Sequence, residues 1–203
     1  MTKICIGFKA HMGWVNAVAV AINCDTPEPL WVNRVDLVDR TDREAYEPYH
    51  VAGGWQELQQ VPRPKNPQAV IDRGRSKQLA SATRVLRQLR QDLKGEGLVL
   101  QQCVMLTTRS IVYANLEEAL AYHSHIHVAE GEAIRDATRG ALKQMRLRCI
   151  GQDEKSIADE VSARLGWSNP DQEMKSRRPE GTRKWSKEER TVALGAWLHA
   201  NDH

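Results

Sequence analysis

Apolar residues recur along the chain with two different periods, and the points where the period switches predict the order of elements. Residues 3–9, KICIGFK, alternate apolar and polar as a strand does; WVNAVAVAI at 14–22 follows a turn at Gly13, and LWVNRVDLV at 30–38 follows the turn DTPEP. Three short strands in succession predict an antiparallel meander. Residues 40–66 lose the period, with YEPYHVAGGW and VPRPKNP reading as an irregular, Pro- and Gly-rich connection. From 67 to 94 the spacing becomes helical: Leu79, Ala82, Leu86, Leu89 and Leu93 share one face, with Arg73, Lys77, Arg84 and Arg87 on the opposite arc. Gly95 and Gly97 end that helix.

The run LVLQQCVML at 98–106 reads as a buried strand, and Asn115 with Glu118 can open a helix over 115–145 as a capping box. A short strand at 147–151 follows, then a helix over 153–166 with Ile157, Val161 and Leu165 on one face. Ser186 with Glu189 caps a last helix from 187. The predicted order is βββαβαβα and a final helix. With no internal repeat, residues 1–203 read as a single domain, with a basic loop at about 168–185 and a C-terminal helix at about 187–200.

Composition narrows the class. The 203 residues are 41% apolar and 27% charged, ordinary for a soluble chain able to bury a full core. No run of 18 apolar residues and no signal-peptide order occurs, so the expectation is a cytoplasmic protein without a membrane partner. Cys5, Cys24, Cys103 and Cys149 form no CxxC pair and read as core-filling thiols. A phosphate loop is absent around Gly53 and Gly54, as is a Gly-x-Ser-x-Gly elbow.

The net charge of +3 is unevenly spread: residues 1–62 carry five basic and eight acidic side chains, whereas 63–94 carry nine basic against Asp72 and Asp92. A second basic cluster, KSRRPEGTRKWSK, contains Arg177, Arg178, Arg183, Lys184 and Lys187 around Trp185. Such clusters neutralise phosphates, so DNA or RNA is the candidate partner, with Arg73, Lys77, Arg84 and Arg87 as a second set of contacts. A plain solvated helix face has the same composition, and Trp185 reads as a packing residue, with stacking on a base as the alternative.

The element order, together with GFKAHMGWVNAVAV at 7–20, resembles the ribonuclease H-like superfamily and its RuvC-like branch, whose first hairpin carries a GxDxG stretch. The resemblance covers nearly the whole chain. It implies an α/β fold with a mixed five-stranded sheet, three antiparallel strands then parallel ones, flanked by helices. It also implies a site where carboxylates of the terminal helix, here Glu188 and Glu189, return to the first strand. Lys9 stands where that family has a metal-binding Asp, and no carboxylate lies between Leu98 and Ser110. The start is also similar to that of a bacterial group with KxHxGW, which implies no particular activity. Two-metal phosphodiester cleavage needs several carboxylates around two cations, and a lysine in the first position repels them.

Histidines supply the remaining chemistry. In AYHSHIHVAEGEAIRDA, His123, His127 and Glu130 fall within about 60° on a helical wheel, in the arc of Leu116, Leu120, Ile134 and Ala137. They are expected to face inward, with His125 toward water. Inward polar groups need partners: a closed hydrogen-bond network, a metal for which the HxxxHxxE spacing suffices in principle, or a cleft. The sequence does not name a cofactor, and Lys9 disfavours a divalent metal at the first strand. The functional expectation is one concave site in which Lys9, His11, His127 and Glu130 carry acid–base chemistry on nucleic acid or a nucleotide-like phosphate, as a nuclease or phosphohydrolase, supported by Tyr49, His50 and His123. Two alternatives stand beside it, a non-catalytic nucleic-acid-binding module of the same fold and a protein-interaction partner.

Overall fold

The computed structural model describes residues 1–56, 59–108, 113–182 and 185–200. Strands β1 (Thr2–His11), β2 (Trp14–Ala21) and β3 (Pro29–Asp36) form the predicted antiparallel meander. The β1–β2 turn closes on the His11–Trp14 pair through Met12 and Gly13, whose φ of 77° suits glycine. Helix α1 (Arg43–Tyr46), helix α2 (Pro48–Gly53) and the ribbon β4 (Trp55–Gln56) with β5 (Gln59–Gln60) occupy the stretch expected to be irregular. Asp42 caps α1 by accepting from the Ala45 N–H, and Pro48 starts α2 with its φ already near helical.

Helix α3 (Pro67–Gly95) leads into β6 (Leu98–Thr107). The helix expected over 115–145 is broken at Ala121 and Tyr122 into α4 (Leu116–Leu120) and α5 (His123–Gln144). Strand β7 (Cys149–Asp153) begins two residues later than its pattern suggested. Helix α6 (Ile157–Leu165) follows. The stretch expected to be a basic loop contains α7 (Pro170–Lys175), capped by Asn169, and α8 (Lys187–Ala200) follows. No helix among the described residues is long and apolar enough to cross a membrane.

The sheet order β3-β2-β1-β6-β7 puts β1 at the centre, antiparallel to β2 and parallel to β6, which is parallel to β7. Side-chain alternation divides the core into two layers. Ile4, Ile6 and Phe8 of β1 with Val15, Ala17 and Ala19 of β2 pack under α3 and α5, against Leu86, Ile134 and Leu142. Cys5 of β1 and Val18 and Val20 of β2 pack on the other face, under α8 and α6, against Val192, Trp197 and Ile157. Gly7 lets α8 lie directly on β1, because a Cβ there would stand 2.6 Å from the Val192 carbonyl oxygen. The same approach holds the first turn of α8 above Lys9 and His11.

Candidate functional site

Lys9 and His11 follow Cys5 and Gly7 in the alternation of β1, so both emerge on the α8 face. Lys9 Nζ lies 2.6 Å from Glu154 Oε1 and 3.3 Å from Glu188 Oε2. His11 Nε2 stands 2.7 Å from Glu188 Oε1, which also accepts from Asn16 Nδ2, the cross-strand neighbour of Lys9. Trp14 fixes the His11 ring by stacking at 3.9 Å, and Arg34 covers the same indole at 4.2 Å. Glu188 belongs to the first turn of α8, where the helix dipole favours a carboxylate. Partial burial works against its charge, but His11, Lys9 and Asn16 outweigh that and hold its carboxyl at about 2. Burial likewise opposes the Lys9 charge, and Glu154 and Glu188 overcome it to raise the ammonium above its ordinary value. The cluster is an internal salt: one ammonium between two carboxylates, at the carboxyl ends of β1 and β7.

Beside it lies a cleft of about 490 Å3, lined by Lys9, Thr108, Glu154, Lys155, Asp171 and Lys187 among others. Its acids are matched. Glu154 meets Lys9, and Asp171 is bound by Arg190 at 2.7 Å, which holds its carboxyl below the usual range. Lys155 and Lys187 make no ion pair among the described residues, so the cleft carries surplus positive charge.

His127 and Glu130 belong to a second cluster, on the other face of the sheet, where α5 meets α2. Glu130 is buried, and its Oε1 accepts from the Tyr49 N–H at 2.7 Å, the His50 N–H at 3.0 Å and His50 Nδ1 at 3.2 Å. Its Oε2 is buried without a hydrogen-bond partner among the described residues. Burial pushes this carboxyl up, with the His50 and Tyr49 donors pulling against it. His50 Nε2 lies 3.3 Å from His123 Nε2; His127 packs on both rings at 4.8 and 4.4 Å, and Trp55 stacks on His123 at 4.5 Å. Burial, then the neighbouring His50 and His123, lower the His127 pKa.

The expected single site of Lys9, His11, His127 and Glu130 is therefore two sites. No hydrogen bond, ion pair or ring contact among the described residues joins them, because α5 covers the even residues of β1 and α8 covers Lys9 and His11. His127 is exposed rather than inward-facing. Its helical phase is that of Glu130, but it lies near the start of α5, before the sheet-covered stretch of the helix begins. His125, expected toward water, is half-buried, with Nδ1 2.8 Å from the Glu118 carbonyl oxygen and its ring stacked on Tyr113.

The supporting residues divide as well. His50 and His123 join His127, whereas Tyr49 contributes its backbone N–H and turns its phenol into a separate cleft beside Arg75. Glu188 joins Lys9, whereas Glu189 accepts from Ser186 N–H and Oγ–H and serves as the α8 cap. Glu154 and Asn16 were missed by the sequence pattern; the first directly follows the strand whose limits were read two residues early.

The basic residues are unequal. Arg73 pairs with Glu44 at 2.8 Å and Lys77 with Asp42 at 3.1 Å, both in contacts that pin α3 to the α1 region. Arg84 and Arg87 are exposed, with no ion pair among the described residues. Arg177 is tied to Thr26 and Pro27 and covers Trp167, while Arg178 and Lys187 are exposed. Arg183 and Lys184 lie outside the described residues. Trp185 is a packing residue, buried with its Nε1–H donating to the Met174 carbonyl at 2.7 Å.

No protein-family model and no curated protein matches the chain. Among solved structures it is similar to Thermus thermophilus RuvC in complex with a Holliday junction substrate, at a TM-score of 0.50 and 9% identity, covering 98% of this chain and 94% of that one. A second structure of Thermus thermophilus RuvC gives 0.48 and 8%, covering 97% and 95%. The first likeness shows the fold, a ribonuclease H-like mixed sheet of five strands with helices on both faces.

Proposed function

We propose that the chain is a nucleic-acid-binding protein of the RuvC-like branch that holds a phosphate backbone across the strand-end cleft and does not cleave it by a two-metal route. The observation that carries this reading is the Lys9 ammonium between Glu154 and Glu188. Ligands of open α/β sheets bind at the carboxyl ends of the strands, where these groups lie. A divalent cation needs unpaired carboxylates there. Lys9 already supplies the positive charge, and a cation entering the cluster would meet its repulsion. Lys155 and Lys187 remain to meet phosphates, with Arg178 exposed on the α7–α8 connection. In this reading the Lys9, His11, Gly13 and Trp14 pattern marks a fold whose metal has been replaced by a side chain. The acid–base alternative required Lys9, His11, His127 and Glu130 to converge. RuvC in complex with a Holliday junction supplies a structural neighbour that engages DNA with this fold.

Binding to short DNA and RNA duplexes, measured against salt, tests the proposal. Replacing Lys155 and Lys187 together by alanine should make the logarithmic salt slope shallower by about two, one for each lost phosphate contact. Replacing Arg84 and Arg87 asks the same of α3. No binding at low salt, or a slope that only the α3 pair alters, would remove the strand-end cleft as the binding surface. Cleavage of either duplex on addition of Mg2+ or Mn2+ would overturn the non-catalytic part.

A further inference from the structure

The second cluster has the ingredients of a metal centre that the first lacks. We propose that His50, His123 and His127 bind one divalent cation of the zinc class through their imidazoles, with Glu130 behind His50 and a fourth position open to water.

One ligand nitrogen from each of the three residues lies within 4.8 Å of the others. The closest pair fits such a cation. Two nitrogens on a tetrahedral zinc, each at about 2.0–2.1 Å, stand roughly 3.3 Å apart, and His50 Nε2 and His123 Nε2 are separated by 3.3 Å. These two atoms face one another. With His50 Nδ1–H donating to Glu130, its Nε2 is left as the coordinating atom. His127 completes a triangle from the next turn of α5, four residues after His123, and needs only a side-chain rotation because it is exposed.

Glu130 is the independent observation. Its carboxyl is buried, takes three donors on Oε1 and leaves Oε2 without a hydrogen-bond partner among the described residues. A buried carboxylate with an unmet oxygen is costly unless positive charge stands nearby. A cation on His50 supplies that charge through the imidazole, the carboxylate–histidine–metal arrangement in which the carboxylate behind the ligand fixes its tautomer and strengthens it. Trp55 stacked on His123 restricts that ring, so two of the three ligands are held before the metal arrives. Three imidazoles and no thiolate select a borderline cation such as Zn2+, Co2+ or Ni2+ over Mg2+ or Ca2+. Among the described residues three protein ligands stand together, which leaves a fourth position for water on the exposed His127 side.

The test uses the full chain without a purification tag, stripped with chelator and titrated with Zn2+ by calorimetry and Co2+ by visible absorption. One equivalent should bind, with the intense visible bands of tetrahedral cobalt and no thiolate charge-transfer band. His127→Ala, a surface change, should keep the circular dichroism of the parent and lose roughly 100-fold or more in affinity. Glu130→Gln, which keeps an acceptor for the Tyr49 and His50 N–H groups, should weaken binding about 10–100-fold. A featureless cobalt spectrum with no heat of zinc binding overturns the proposal. So does tight binding that His127→Ala leaves unchanged, or a thiolate band assigning the metal to cysteines. Neither readout involves nucleic acid, so its failure is separate from failure of the binding surface.

Discussion

Glu188 and Glu130 are both helix carboxylates turned toward histidines, and they sit in opposite electrostatic conditions. Glu188 meets an ammonium, an imidazole and an amide, with water close by, and its carboxyl is held down at about 2. Glu130 is fully enclosed, meets backbone N–H groups and one imidazole, and is pushed up by burial. The same residue pair, Glu with His, thus makes a saturated salt on one face of the sheet and an under-neutralised carboxylate on the other. What differs is the lysine. The face that carries an internal cation has no need of a metal, and the face without one has a reason to take it.

Moving the charge should reverse that contrast, and the largest effect is expected from Lys9→Asp. Two ion pairs vanish and a third carboxylate is placed against Glu154 and Glu188. Because these groups are half-buried and three carboxylates would then repel one another, the cost should be about 3 kcal/mol in chelator, a fall in melting temperature of roughly 10 °C for a chain of this size. Millimolar Mg2+ or Mn2+ should restore most of it by occupying the acid cluster, whereas the parent protein should be indifferent to both ions at that site. A variant as stable as the parent in chelator, or one that ignores Mg2+ and Mn2+, would show that Lys9 is not standing in for a cation.

Titration should separate the two carboxylates by sign. Glu188 binds fewer protons in the folded state, because its value falls from the ordinary 4.5 to about 2. Its contribution is therefore present above about 4.5 and lost as pH falls toward 2, a change on the order of 1–2 kcal/mol after solvent screening. Glu130 has a raised value, so the folded state keeps its proton longer and stability declines as pH rises past 4.5. Urea unfolding from pH 2.5 to 7 of the parent, Glu188→Gln and Glu130→Gln should give difference curves of opposite slope. Parallel curves would mean that the two environments are alike.

How much of this was legible in the sequence follows from which forces are local. The alternation in KICIGFK and the capping signals at Asn115 and Ser186 are set by neighbours a few residues away, and the elements appeared where they predicted. That alternation also contained the answer to the site question: Lys9 shares a face with Cys5 and Gly7, and Phe8 with the opposite layer, so α5 and α8 could not both reach Lys9. His127 was misplaced because helical phase gives a direction but not where along the helix the core ends. The break at Tyr122 and the arrival of α2 depend on tertiary packing. Glu154 was hidden by a strand boundary, and its meeting with Lys9, 145 positions away, has no local trace.

The smallest effect tests whether the salt at β1 has a centre. Lys9 touches Glu154 at 2.6 Å and Glu188 at 3.3 Å, so distance alone makes Glu154 the stronger partner. Connectivity says otherwise. Among the described residues Glu154 has Lys9 alone as a side-chain partner, whereas Glu188 also receives His11 and Asn16 and sits on the α8 dipole. Glu154→Gln leaves Lys9 with Glu188 and keeps a hydrogen-bond acceptor, so its cost should be about 0.5 kcal/mol, close to that of a surface pair. Glu188→Gln removes the charge that three neighbours share and should cost about 1–2 kcal/mol at pH 7. The double variant should cost less than the sum of the two, since each change weakens the reason for the other. Chemical denaturation of the four proteins completes this cycle; additive costs, or a larger loss from Glu154→Gln, would place the centre of the cluster at the strand end instead of at the first turn of α8.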